Sequence, residues 1–143
     1  MNFTKNIFIG ILFLYITTMS SQTTDNYLQT NIQQHIVNKY WSSELGVTGK
    51  VVFYFGQDQW SSHINQRKIG SANYYFTDIP CNDLSSIFDN SKIGNSSSGN
   101  YIRTIPYCYL IEISSDFQKI RIKTSNENKW RTFYLLSNPN LQN

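Results

Sequence analysis

The chain has 143 residues and a formal net charge of +3, and charged and aromatic residues each make up 15% of it. This charge is too small to indicate nucleic-acid binding by itself, and the length excludes two domains of ordinary size. A composition that is rich in aromatic residues and poor in charged ones is typical of a β-rich exported domain.

The N-terminal residues have the pattern of a secretory signal peptide. Lys5 precedes an apolar run over residues 7–19, and small polar residues follow. The run is shorter than the about 20 residues that a membrane-spanning helix needs. We therefore predict a signal peptide over residues 1–21 and a single domain over residues 22–143, exported to the periplasm or secreted. No stable membrane span would remain after cleavage; an uncleaved N-terminal anchor is the alternative.

Residues 25–45 are predicted to form a long amphipathic helix. Apolar side chains recur every four positions, which places them on one face of a helix, and glycines follow the predicted end. The recurring residues are Leu28, Ile32, Ile36 and Tyr40.

The middle of the chain alternates between strand and turn patterns. Residues 50–55 form an apolar, aromatic run typical of a buried strand, and residues 56–63 have a polar, turn-like composition. A weaker strand over 63–71 and an aromatic strand over 72–79 come next. A short helix is predicted over residues 82–91, with Leu84, Ile87 and Phe88 as its apolar stripe.

Cys81 and Cys108 are the two cysteines of the chain. In an oxidising compartment they are expected to pair, and closing this loop would stabilise the fold by roughly 3–4 kcal/mol. Two buried thiols are the alternative. Two cysteines without a CxxC motif do not make a zinc site, so we predict no metal and no cofactor.

The C-terminal part of the chain is predicted to be antiparallel sheet. Residues 107–113 form a strand, and residues 117–136 form a hairpin with its turn at residues 125–128. The complete pattern predicts an α+β fold. In this fold the long N-terminal helix and the short second helix pack on one face of an antiparallel sheet that ends in the C-terminal β-hairpin.

One face of the hairpin combines cations with flat rings. A two- or four-residue loop places Lys123 opposite Trp130, Arg121 opposite Thr132 and Lys119 opposite Tyr134. Such a face suits an anionic glycan or a phosphate ligand, whereas a solvated outer face is the structural alternative. The candidate binding residues are Lys119, Arg121, Lys123, Trp130 and Tyr134.

Catalytic patterns are sparse. His35 and His63 are the only histidines, and a secreted nuclease or toxin would use them as an acid–base pair. No GxSxG motif, phosphate-binding glycine loop or Cys/His nucleophile pattern is present. We therefore predict a protein that is not an enzyme and that has no catalytic residues.

Residues 44–113 resemble the TonB C-terminal domain family. In that family a helical segment leads to a G-x-V-x-V-x-F strand, and the corresponding residues here are Gly49, Val51, Phe53 and Phe55. The resemblance implies a non-catalytic periplasmic module that receives an extended segment of a partner along the edge of its last core strand.

The edge that this resemblance implies runs over residues 105–113, and it is free only if residues 117–124 do not pair with it. The function predicted first is therefore an exported protein-binding module of the cell envelope, with another protein as partner. A small secreted inhibitor or ligand-binding domain of cystatin-like shape is the alternative. The candidate edge residues are Ile105, Tyr107, Tyr109, Ile111 and Ile113.

Overall fold

The computed structural model describes residues 25–29, 32–43, 51–81, 87–94 and 99–137. Its elements are β1 (Tyr27–Leu28), α1 (Gln33–Ile36), β2 (Lys39–Ser42), β3 (Val51–Phe55), β4 (Gln59–Ile64), β5 (Arg67–Asn73), β6 (Tyr75–Thr77), a 3₁₀ turn (Asn90–Lys92), β7 (Tyr101–Arg103), β8 (Cys108–Ser114), β9 (Lys119–Thr124) and β10 (Arg131–Leu136).

All of these strands belong to one antiparallel sheet that forms a near-closed barrel. From β2 to β5 and from β6 to β10, each strand pairs with the next along the chain, and β10 returns to pair with β2. The two edge strands, β5 and β6, are separated only by Tyr74. One continuous, bent stretch of chain therefore supplies both edges, and the sheet curls into an up-and-down barrel.

Because the barrel is a meander, its connections alternate between two ends. We call one end the helix end; it carries α1 and the connections 56–58 and 115–118. We call the other the hairpin end; it carries the connections 65–66, 104–107 and 125–130. These two ends differ in packing and in charge.

The helix end is filled by large side chains. Ile32 and Ile36 are buried at the short helix, and Trp41 of β2 is fully buried above them. The Trp41 indole Nε1 donates a hydrogen bond of 3.3 Å to the Ile36 carbonyl oxygen. The His35 ring stacks on Phe117 at a centroid distance of 3.9 Å, so the 115–118 connection is fastened to the same helix.

A segment outside the barrel covers β6 and β7. Cys81 and Cys108 form a disulfide with a Cα–Cα distance of 5.5 Å, as predicted. Arg103 donates to the Pro80 carbonyl oxygen at 3.0 Å, and the Phe88 ring lies 5.2 Å from that of Tyr75. The buried outward face of these two strands is therefore a second, smaller packed layer.

The predicted α+β fold class is wrong, because sheet makes up nearly all the regular structure of the described residues. The long helix predicted over 25–45 is replaced by β1, the one-turn α1 and β2. Val37 turns extended at ψ 144° and Asn38 takes a positive φ of 59°, which ends the helix. The predicted apolar stripe therefore does not continue: Ile32 and Ile36 are buried at α1, whereas the buried aromatic side chain of β2 is Trp41 and Tyr40 is half-buried.

Other predicted elements have mixed outcomes. The strand at 50–55, the strand at 107–113 and the hairpin at 117–136 are confirmed as β3, β8 and β9–β10. The polar turn predicted over 56–63 is wrong beyond residue 58, where β4 begins. Of the short helix predicted over 82–91, residues 82–86 lie outside the described residues and 87–89 are irregular. The predicted signal peptide lies outside them as well.

Substituting Gly99 tests the entry into β7. Gly99 has a φ of +151°, and a Cβ at this position would collide with the backbone of Thr77. We expect Gly99→Ala to lower the free energy of unfolding by about 2 kcal/mol or more, measured by urea titration. Gly70→Ala is the matched control, because a Cβ there meets only the Ser62 hydroxyl at 3.6 Å. Equal effects of the two substitutions would contradict the assigned role of Gly99.

Candidate functional site

A cavity of about 90 Å³ lies inside the barrel next to the 125–130 connection. Cross-strand partners point to the same side of a sheet. From the strand register, the five apolar residues that line the cavity therefore point inward, as the core residues do. Charged and polar side chains line the rim of the cavity. The lining consists of Phe53, Trp60, Tyr109, Ile122 and Phe133, with Lys123, Thr124, Glu127 and Arg131.

The wall of this cavity is an aromatic cluster. Phe53 stacks on Trp60 at 5.0 Å and meets Phe133 at 4.9 Å, and Trp60 faces Tyr109 at 5.7 Å between ring centroids. Phe53, Trp60 and Tyr109 are half-buried, while Phe55, next to them in the core, is fully buried. They form the last layer of the core before solvent, and their ring faces border the empty space.

The rim carries charge of both signs. Arg131 Nη2 lies 3.1 Å from each carboxylate oxygen of Glu127, in an exposed pair that contributes little to stability. Burial raises the pKa of Tyr109, with a further contribution from Tyr107, so its hydroxyl stays protonated at neutral pH and can donate. The site therefore combines apolar ring faces with a few polar groups at the entrance.

The sequence analysis missed Trp60, because GQDQWSSH was interpreted as a turn. The signal was nevertheless present in QWSSHI, where Trp60, Ser62 and Ile64 alternate with polar residues at the period of a strand. The register confirms this alternation: Trp60 pairs with Phe55 and Ser62 pairs with Phe53, on the inward side.

The predicted cation–aromatic face exists in the predicted register. Arg121 pairs with Thr132 and Lys119 pairs with Tyr134, and the Lys123 ammonium lies 5.0 Å from the Trp130 ring centroid. The face points away from the barrel interior. Its role in binding a ligand remains a prediction.

The N-terminal segment engages two of these cations. The Arg121 guanidinium lies between the Tyr27 ring at 4.0 Å and the Trp130 ring at 4.5 Å, and it forms an ion pair with Glu112. Lys119 forms an ion pair of 2.7 Å with Asp25. This part of the face therefore holds β1 against the barrel and presents little free positive charge to an anionic ligand.

The edge predicted to accept a partner strand is occupied. On one side β8 pairs with β7 over Cys108–Leu110 and with β1 over Ile113–Ser114. On the other side it pairs with β9 over Tyr109–Ile113. Tyr109, Ile111 and Ile113 point inward, whereas Ile105 and Tyr107 are exposed in the 104–107 connection. Strand addition along β8 would require one of these pairings to break.

The structure does not bring the two histidines together. His35 lies on α1 at the helix end, stacked on Phe117. His63 lies on the outward face of β4, close to the 65–66 turn, where it pairs with Val52. The acid–base pair that a histidine nuclease needs is therefore not formed by these residues.

His63 makes one contact of chemical interest, because its Nε2 lies 3.0 Å from Ser61 Oγ. A serine nucleophile needs such a contact, but it also needs a group that orients the base. His63 Nδ1 is buried and has no hydrogen-bond partner among the described residues. Burial and the nearby Lys68 both lower the pKa of His63, whereas a carboxylate that oriented the ring would raise it. The pair is therefore better explained as structural.

Comparisons with known proteins assign no family to the chain. A scan against protein-family models finds no matching family, and searches of curated proteins and of solved structures find no match. The TonB resemblance thus remains a prediction. Among the described residues, no helix is long and apolar enough to cross a membrane, and no three His, Cys, Asp or Glu side chains are grouped to hold a metal ion.

Replacing Glu112 tests how strongly β1 and the residues next to it are held against the barrel. The Glu112 side chain is only 3% exposed; it pairs with Arg121 and accepts a hydrogen bond from Gln29. We expect Glu112→Gln to lower the free energy of unfolding by about 2 kcal/mol, because a buried charge partner is lost. Glu127→Gln, in an exposed pair, should cost less than about 0.5 kcal/mol. Urea titration of both variants measures the difference, and equal costs would refute the assignment.

Acid should destabilise the protein through His63. Its pKa is lowered in the folded state, so folding favours the neutral ring. The stabilisation is complete above the unfolded pKa of about 6.5 and is lost as the pH falls through the folded value. We expect His63→Gln to flatten this part of the pH dependence of the urea midpoint, and His35→Gln to leave the His63 contribution in place. An unchanged profile in His63→Gln would disprove the linkage.

Proposed function

We propose that the protein is an exported, non-enzymatic barrel that binds a small, largely apolar ligand in the hairpin-end cavity. The observation that carries the proposal is the cluster of half-buried rings around unfilled space, with polar groups confined to its rim. Ligand sites in proteins have this character: mostly apolar walls and a few placed polar groups. The Cys81–Cys108 disulfide supports an oxidising compartment.

The size of the cavity limits what enters it. At about 90 Å³, the space equals roughly three water molecules at their liquid volume, well below the several hundred Å³ that surround a drug-sized ligand. A single aromatic ring or the end of an alkyl chain could enter fully only with movement of the rim. The remainder of a larger ligand would project through the entrance.

The charged residues at the cavity entrance indicate which polar group such a ligand would carry. Arg131 is the lining cation whose strand position faces inward, opposite Ile122, and Glu127 already pairs with it. The ammonium of Lys123, the other lining cation, lies over the Trp130 ring. A carboxylate on the ligand could compete for the Arg131 guanidinium, which binds carboxylates in a bidentate manner. Aromatic or medium-chain carboxylates are therefore the first probes to test.

Tryptophan fluorescence and amide NMR with benzoate, indole-3-carboxylate and octanoate test the proposal. We expect shifts centred on Trp60 and Tyr109. Thr124→Phe, which adds a ring at the cavity wall, should weaken binding about tenfold or more. Thr132→Phe is the matched control, because it makes the same change on the outward face of β10, where Thr132 pairs with Arg121, and it should leave affinity unchanged.

Two results would overturn the proposed function. One is the absence of any saturable shift with all three probes. The other is a set of shifts centred on Trp130, on the outer face, that Thr124→Phe does not affect. Arg131→Gln, compared with Arg67→Gln as a control for net charge, then tests whether the carboxylate lies at the rim.

A further inference from the structure

Exposed hydrophobic side chains are concentrated at the hairpin end of the barrel. Six large hydrophobic residues are exposed in the described part of the chain, and four of them flank the 65–66 turn or lie in the 104–107 connection. Leu28 lies near the helix end, opposite Ile113, and Ile87 precedes Phe88, which packs on Tyr75 of β6. The four at the hairpin end are Ile64 at 36%, Ile69 at 58%, Ile105 at 67% and Tyr107 at 57% exposure.

The same end is positively charged. Arg67 and Lys68 are exposed directly after the 65–66 turn and Lys129 is exposed in the 125–130 connection, while Lys123 and Arg131 are among the residues that line the cavity. Among the described residues, Glu127 is the acidic side chain in these connections, and it pairs with Arg131.

The helix end carries more acidic side chains than the hairpin end. Three aspartates are exposed there: Asp58 in the 56–58 connection, Asp116 in the 115–118 connection and Asp25 just before β1. Hydrogen bonds from Ser114 and Gln118 lower the pKa of Asp116. Two lysines begin strands at the same end, Lys39 of β2 and Lys119 of β9, and Lys119 pairs with Asp25. Exposed apolar side chains and an excess of cations therefore occur together at the hairpin end.

We propose that the hairpin end docks on a membrane surface that contains anionic lipid. Separate apolar side chains on neighbouring hairpins can each enter the interfacial region, while the cations among them meet lipid phosphates. Tyr107 has an apolar ring and a polar tip, which suits it to the level of the headgroups. This inference does not depend on whether the cavity holds a ligand.

A protein partner fits this surface less well. The cores of protein interfaces are depleted of lysine and need a continuous, shape-complementary apolar patch. Here Lys68 and Arg67 stand between Ile64 and Ile69 along the chain, and the two apolar pairs lie on different hairpins. A fluid surface accepts such separated contacts, whereas a rigid partner would have to match each of them.

The first measurement is co-sedimentation with vesicles of phosphatidylcholine alone and of phosphatidylcholine mixed with phosphatidylglycerol. We expect stronger binding to the mixed vesicles than to phosphatidylcholine alone, because the apolar run over residues 7–19 contributes equally to both. Arg67→Gln combined with Lys68→Gln should weaken the partition about tenfold or more, since each cation near an anionic surface contributes roughly fivefold. Ile69→Ser combined with Tyr107→Ser should also weaken it. Leu28→Ser is the matched control, because Leu28 is exposed and pairs with Ile113 near the helix end.

A second measurement locates the part of the protein that contacts the membrane. The full chain is used throughout, so that residues 1–21 contribute equally in every variant. Tyr107→Trp should gain fluorescence that brominated lipid quenches, and Leu28→Trp, near the helix end, should not. The proposal is overturned if mixed vesicles bind no more protein than phosphatidylcholine alone, if the hairpin-end variants leave binding unchanged, or if quenching occurs at Leu28→Trp alone. Self-association, or capture of a stoichiometric protein partner, would also overturn the proposal if Ile69→Ser abolishes it and no vesicle binding is observed. The surface would then bind a second copy of the chain or that protein instead of a membrane.

Discussion

The barrel depends on how one residue, Tyr74, joins its two edges. The chain leaves β5 and enters β6 through Tyr74, whose backbone N–H donates to the Asp58 carbonyl oxygen at 3.1 Å. Its ring is buried between Phe55 and Phe76, and its hydroxyl donates to the Gly56 carbonyl oxygen. Burial raises the pKa of this hydroxyl far above its ordinary range, so it remains a donor. Closure therefore combines backbone pairing, aromatic packing and a buried hydrogen bond in one place.

Closure has a direct consequence for function, because a closed sheet offers few free edges. β8 is paired along both sides, and this removes the surface that strand addition would use. A binding site would instead lie in the interior, on the outer face or at an end of the barrel. On the outer face of β8–β10, Arg121 and Lys119 already pair within the chain. Among the described residues, the hairpin end combines exposed apolar side chains with exposed cations.

The sequence predicted best where a strand is defined by its own residues. Alternation in YCYLIEI and in the hairpin led to the correct elements and to the correct pairing of Arg121 with Thr132. The disulfide was predicted from the two cysteines and the expected export of the chain, and it is confirmed. Residues 25–45 were misread as one helix because Ile32 and Ile36 do lie at a helical turn, whereas the strand that follows is fixed by pairing with β3 and β10. The cavity could not be predicted at all, since it is formed by residues from five strands that meet only after the barrel closes.

The barrel interior is packed with large side chains at the helix end, whereas it contains the cavity toward the hairpin end. At the helix end, Trp41, Ile32 and Ile36 fill the interior, as packing for stability requires. Inward positions of β4 and β5 carry side chains of mixed size: Ala72 pairs with the large Trp60, and Ser62 pairs with Gly70. The Ser62 and Gly70 positions, toward the hairpin end, carry little volume. Larger side chains at these positions would add buried apolar area at about 25 cal/mol per Å². A barrel that needed only stability would gain by filling this end. The small residues at Ser62 and Gly70 and the half-buried rings beside the cavity therefore accord with the ligand binding that we propose for this end.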